Sequence, residues 1–379
     1  MGDYSNALSS YQKALEIRQK SLSSDHLDLA HSYDSIGLVY NNMGDYSNAF
    51  SSCQKALEIC KKALPSNHPD LATSYNNIGL VYNNMGDYSN AHESHEKALE
   101  IRQKALPSNH PDLATSYNNI GFVYINMGDY SNALSSHKHA LEIRQKSLPL
   151  NHPDLATSYN NIGLFYNNMG EYPNALSFHK HALKIRQNTL PSDHPELATS
   201  HNNIGSVYTS MADHSNAFSS YQKALEIRQK SLPFNHPDLA TSYNSIGLVY
   251  NNMGDYSNAL ASHEKALEIR QKSLPSNHPD LATSYNNIGL VYDNMGDYLY
   301  ALSSYQKALE IRQKSLPSNH PDLATSYNNM GSWYYKMDDS SNALSFYERA
   351  LNILQRSLPP NHPNILSLRK NLEYVKIKM

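Results

Sequence analysis

Nine methionines, Met1, Met43, Met85, Met127, Met169, Met211, Met253, Met295 and Met337, stand 42 residues apart, and the chain repeats itself around each of them. The cassette HPDLATSYNNIGLVYNNMGDYSNALSSYQKALEIRQKSLPSN recurs almost unchanged along the 379 residues. A fixed period between 20 and 50 residues marks a tandem array, in which each repeat buries its apolar face by stacking on its neighbours. Length alone would suggest two or three globular domains; the period points instead to one elongated domain. It also directs the search for function to positions where one repeat departs from the others.

Residues 68–109 serve as the reference repeat. Pro69 and Asp70 open a helix, since proline fits the first turn and a carboxylate favours the positive end of the helix dipole. Leu71, Tyr75, Ile78, Tyr82 and Met85 then recur at spacings of four and three, one helical face. Gly86 suits a left-handed cap. Asp87 or Ser89 can cap a second helix that runs through Ala91, His95, Ala98, Leu99 and Arg102 to Leu106, where Pro107 ends it. The glycines hold two slots, the turn slot of Gly86 (Gly2 included) and the mid-helix slot of Gly79. A mid-helix glycine weakens a helix by about 0.5–1 kcal/mol relative to alanine. Its retention in register predicts close approach of a neighbouring helix, with Ala91 and Ala98 as the small partners.

The expected fold is all-α, a right-handed α-solenoid of tandem helix–turn–helix repeats forming a single domain over 1–379. Residues 1–27 supply a partial first repeat, 28–358 eight full repeats, and 359–379 a capping helix with Ile365, Leu368, Leu372, Val375 and Met379 on one face.

Tyr75, Ile78-Gly79, Tyr82, Gly86, Tyr88, Ala91 and Ala98 match the tetratricopeptide (TPR) signature slot by slot. With a longer second helix and the PSNHPDLA connection, the 42-residue form resembles the TPR arrays of kinesin light chains. The resemblance implies a surface for protein or peptide partners. It also implies that the first helices line a concave groove, in which an asparagine in the slot of Asn77 contacts the backbone of an extended peptide. That slot holds Asn77, Asn119, Asn161, Asn203, Asn287 and Asn329, with Ser35 and Ser245 interrupting. Beside it runs Asn76, Asn118, Asn160, Asn202, Asn244, Asn286 and Asn328. A carboxamide offers donor and acceptor together, which suits a peptide bond. Asparagine is a poor helix former, so packing alone does not account for these rows. Leu38, Leu80, Phe122, Leu164, Leu248 and Leu290 add apolar footholds. Asp34, Asp293, Lys336 and His31 are the ionisable groups of this face, which disfavours partners held by a clamped carboxylate or an acidic motif. Glu100, Arg102 and Lys104 of the second helix are expected on the convex side.

The expected function is a non-catalytic interaction scaffold or adaptor for extended peptides or partner helices. The alternatives are a kinesin-light-chain-like cargo adaptor fragment, or the sensor tail of a larger enzyme or signalling ATPase, since the chain opens inside a repeat and lacks the heptad coiled coil of a light chain. A net charge of −3 gives no electrostatic case for nucleic acid, and no 18-residue apolar run suggests a membrane span. No motif suggests a cofactor or small-molecule substrate. Nine histidines (His26, His68, His110, His152, His194, His236, His278, His320 and His362) are one loop residue copied, too far apart to share a metal ion, and a structural role beside the helix start is expected. His92 and His95 lack further ligands. Cys53 and Cys60 lie two turns apart on one helix, about 10 Å, too far for a disulfide. A reducing compartment, the cytosol, is the expected location.

Overall fold

The computed structural model describes residues 4–379, so Gly2 in the first turn slot lies outside the described residues. Eighteen helices and no strand occur among the described residues. The first helices of the pairs are α2 (Leu27–Asn42), α4 (Pro69–Asn84), α6 (Pro111–Met127), α8 (Pro153–Asn168), α10 (Pro195–Ser210), α12 (Pro237–Asn252), α14 (Pro279–Met295) and α16 (Pro321–Lys336). Their partners are α3 (Tyr46–Ala63), α5 (Tyr88–Ala105), α7 (Tyr130–Ser147), α9 (Tyr172–Thr189), α11 (His214–Ser231), α13 (Tyr256–Ser273), α15 (Tyr298–Ser315) and α17 (Ser340–Ser357). The half-repeat α1 (Tyr4–Ser21) precedes them and α18 (Pro363–Lys378) follows, burying Ile365, Leu368, Leu372 and Val375, whereas Met379, expected on the same face, is exposed because it lies just beyond the end of the helix.

The chain divides into two compact units. Residues 4–169 with 184–189 make one; residues 170–183 with 190–379 make the other. Within each, the two helices of a pair pack together, and a second helix packs on the first helix of the next pair. Cores are local: Ala98 and Ile101 join Leu71, Ala72 and Val81 in one cluster, and Tyr221, Leu225, Leu239 and Ile246 meet in another. Each repeat is thus a layer whose apolar side is finished by its neighbour.

The loop histidine has a definite job. The imidazole is the N-cap of the first helix, with Nδ1 accepting the backbone N–H two residues on: 3.2 Å from Asp70 N to His68, 3.2 Å from Asp154 N to His152. This requires a neutral ring protonated on Nε2. Most second helices are capped by the aspartate rather than the serine. Asp87 accepts from Asn90 N at 3.3 Å and from Asn90 Nδ2 at 2.7 Å. Turn glycines such as Gly128 (φ 75°) are left-handed, and two repeats make the same turn with Ala212 (φ 57°) and Asp338 (φ 60°).

The mid-helix glycine faces a ring, and the expected alanine partners are corrected. A Cβ on Gly121 would stand 2.7 Å from His137 Cε1; on Gly205, 2.8 Å from the Tyr221 ring; on Gly37, 2.5 Å from Cys53 Sγ. The slot of His95 on the second helix therefore drives a flat or small side chain onto bare backbone, and glycine makes the room.

Candidate peptide-binding face

The asparagine rows have a packing role that periodicity did not reveal. In the first compact unit, Asn119 Nδ2 donates to Asn76 Oδ1 at 2.6 Å, Asn84 to Asn41 at 2.9 Å and Asn126 to Asn83 at 2.8 Å. In the second, Asn287 donates to Asn244 at 2.7 Å, Asn329 to Asn286 at 2.5 Å and Asn294 to Asn251 at 3.0 Å. Ser245 reaches Asn202 at 3.4 Å, and Asn371 of α18 reaches Asn328 at 3.2 Å. Successive first helices are laced by two parallel lines of carboxamide bonds. Each bond joins an N–H of one amide to the oxygen of the next.

The candidate residues differ in depth. Asn76, Asn77, Asn119, Asn160, Asn202, Asn203, Asn286, Asn287, Asn328 and Asn329 are half-buried. Asn118 and Asn161 sit deeper, each 5% exposed. Asn118 Oδ1 lies 3.1 Å from His137 Nδ1, which fixes that amide to the neighbouring second helix. Leu80 and Leu290 are exposed footholds. Phe122 and Leu164 are half-buried, with Phe122 edge-on to His137 at 5.2 Å.

Charge is scarcer on this face than composition implies. Asp34 and Asp293 are both 8% exposed. Burial pushes the Asp34 carboxyl above its usual range, against hydrogen bonds from Asn77 and Ser74. Asp293 holds Lys336 Nζ at 2.6 Å. Buried imidazoles line the inner side of the pairs: burial pushes His95, His137 and His263 down to about 4.

Arg102 does not stand on an outer charged surface. It is 7% exposed and donates from Nη1 to Ser116 Oγ at 2.7 Å on the next repeat. Arg144–Ser158, Arg228–Ser242, Arg270–Ser284 and Arg312–Ser326 repeat the bond at 2.7–2.9 Å. Glu100 and Lys104 are exposed and pair with each other at 2.6 Å. Cys60 takes the arginine's place in one repeat and receives a weak bond from Ser74 at 3.5 Å. Cys53 and Cys60 are free and buried, and burial pushes the Cys53 thiol up to about 12, which leaves it unreactive. Among the described residues no group of three histidine, cysteine or acidic side chains could hold a metal ion. No described helix is long and apolar enough to cross a membrane.

Helix pairs stacked in a 42-residue register match one family profile along the chain. The profile, that of the tetratricopeptide repeat, matches residues 1–47, 33–104, 75–146, 112–164, 154–230, 238–314, 294–356 and 322–373. The chain belongs to the tetratricopeptide repeat family. Among solved structures it is similar to a putative kinesin light chain of Podosopora anserina with nearly identical TPR-like repeats. That match is 23% identical, covers 54% of this chain and 97% of the other, and has a TM-score of 0.44. It is also similar to BtubC (BKLC) from P. vanneervenii, at 25% identity, 61% and 90% coverage and TM-score 0.46. A Rap protein complexed with competence and sporulation factor matches over 93% of this chain and 98% of its own, at 13% identity and TM-score 0.56; at that identity the likeness concerns the fold alone. None of the curated proteins compared with the chain matches it.

Proposed function

We propose that this TPR array is a non-catalytic scaffold that holds extended segments of partner proteins along the asparagine-lined faces of its first helices, in the cytosol. The observation that carries the reading is the recurring pair of carboxamides, as at Asn76–Asn119 and Asn286–Asn329, which most repeats set beside an apolar foothold. A carboxamide has two N–H groups and an oxygen with two lone pairs, so one lacing bond does not exhaust it. A peptide backbone needs both a donor and an acceptor. With Asp34 and Asp293 withdrawn and Lys336 paired, little charge is left to select the partner by sign.

A phage-displayed library of unstructured peptides, panned on the full chain, tests this. Leu290→Ser removes a foothold without touching the carboxamide bonds, and Asn119→Ala removes one amide. Each unpaired peptide group costs about 1–3 kcal/mol in a dry site, roughly a 5- to 150-fold loss of affinity. Binding should change little between low and high salt. Recovery of the same peptides at the same affinity by both variants refutes the reading. Because Asn119 also bonds to Asn76, its variant is compared at matched helicity.

A further inference from the structure

The turn between α14 and α15 breaks the rule that every other second helix follows. Those helices open with a residue pair ending in asparagine, as in Tyr88-Ser89-Asn90-Ala91; here the run is Tyr298-Leu299-Tyr300-Ala301. Elsewhere the asparagine bonds to the capping carboxylate through both backbone and side chain, 3.2 and 2.7 Å for Asn258 on Asp255. Tyr300 has no such side-chain donor in reach, and Asp297 makes no side-chain cap bond. The capping device has been surrendered, and exposed apolar surface stands in its place. Leu299 is 82% exposed and Tyr300 65%, with Tyr298 and Met295 exposed beside them.

The turn is nonetheless built rather than loose. Tyr300 stacks on Tyr292 with ring centroids 5.2 Å apart at 29°. From the following repeat Trp333, the chain's one tryptophan, donates Nε1–H to the Tyr298 carbonyl at 3.0 Å. Other repeats hold valine or phenylalanine in that slot, which cannot make this bond. Two departures in consecutive repeats thus meet in one place. The charge beside them is negative. Asp297 is exposed, and the Tyr292 phenol is held above its usual range by burial and then by Glu264, Tyr300 and Asp297. Lys336, the cation at this end of α14, is taken by Asp293.

We propose that the Tyr292–Tyr300 pair, Leu299 and Asp297 form a docking surface for a cationic amphipathic segment of a partner protein. An arginine or lysine lies against the stacked rings and the Asp297 carboxylate, and an apolar side chain covers Leu299. Aromatic faces attract cations through their quadrupole, most strongly where water is displaced. The adjacent carboxylate adds attraction of the same sign, and a single-sign neighbourhood selects against acidic segments. The site shares no residue with the asparagine-lined faces and stands or falls separately from them.

Trp333 supplies the readout. The full chain is titrated with a synthetic peptide alternating arginine and leucine, and Trp333 fluorescence is followed. Peptides alternating glutamate and leucine, or arginine and serine, serve as the comparison arms. Saturable binding of the Arg–Leu peptide is expected, at least tenfold tighter than either comparison. Leu299→Ser with Tyr300→Asn restores the opening used by the other repeats. This double variant should melt higher, because the cap returns, and should bind the Arg–Leu peptide at least tenfold more weakly. Asp297→Asn should weaken binding at low salt and flatten its salt dependence. Four results would overturn the proposal: no binding of the Arg–Leu peptide, equal binding of the Glu–Leu peptide, undiminished binding by the double variant, or self-association of the chain that the double variant abolishes.

Discussion

Gly121→Ala isolates the contact that spaces the two helices of a pair. In an exposed helix this change would stabilise by about 0.5–1 kcal/mol, since alanine is the better helix former. Here the new Cβ would stand 2.7 Å from His137 Cε1 and 2.9 Å from both ring nitrogens. The ring has nowhere to retreat: His137 is 0% exposed, and its Nδ1 is engaged with Asn118. Overpacking of this kind costs about 1–3 kcal/mol. The net expectation is a loss of up to about 2.5 kcal/mol, centred on about 1. Urea unfolding followed by far-UV circular dichroism measures it. Hydrogen exchange in α6 and α7 localises it, because a repeat array need not unfold as one unit. In a His137→Ala background the Cβ has space, so the same substitution should become stabilising. Gly121→Ala that leaves the wild-type chain equally or more stable would show that the ring contact does not set the helix spacing.

Acid should weaken the array through its buried imidazoles. His95, His137 and His263 are lowered from 6.5 to about 4 by burial, helped by Arg102 at His95 and by Arg270 at His263. Below 6.5 the unfolded chain therefore binds more protons than the folded one. The stability these groups contribute is complete above about pH 6.5 and is lost as pH falls to about 4, at about 1.4 kcal/mol per histidine per pH unit; equal urea midpoints at pH 7 and pH 5 would contradict this. Ala212→Gly should stabilise by about 1 kcal/mol, because alanine at φ 57° bears a steric penalty that glycine lacks, and unchanged exchange rates at residues 205–214 would count against it. Ser158→Ala leaves the buried Arg144 guanidinium short of an acceptor, which should cost about 1–3 kcal/mol in thermal unfolding; a melting temperature equal to wild type would mean that the bond contributes nothing net.

The helices and their turns were legible because each rests on local chemistry repeated along the chain. Pro69 and Gly86 mark ends wherever they stand. What the period concealed lies between repeats. The asparagine bonds join residues 43 apart, one more than the repeat, because stacking offsets successive first helices by one position. A sequence ruler of 42 does not show that Asn119 meets Asn76, so the carboxamides read as surface groups awaiting a ligand. Arg102 carried the same ambiguity: a charge on a second helix suggests solvent, and only the next repeat's Ser116 reveals an acceptor in the interior. Gly79 signalled a close approach, but the approaching group is the His95 ring of its own pair and not an alanine. The Leu299-Tyr300 departure was written in the sequence, yet it matches no motif. It acquires meaning through the lost Asp297 cap and the Trp333 bond beneath it.

Near-identity of the repeats creates a problem of order. The serine that receives Arg102 is chemically the same as the serines that receive Arg144 or Arg270, and one asparagine bond resembles the next. Such contacts reward stacking without recording which repeat is stacked on which, and chains of similar modules are prone to misassembly. The Asp293–Lys336 pair is different. It occupies the row where other repeats place asparagine on asparagine, and its two members are the only acid and the only ammonium group in those slots. Moving either helix out of sequence would set Asp293, with its side chain 7% exposed, against a neutral amide and leave its charge uncompensated. One ion pair in an otherwise interchangeable ladder thus works as an address, telling α16 that α14 is its proper neighbour.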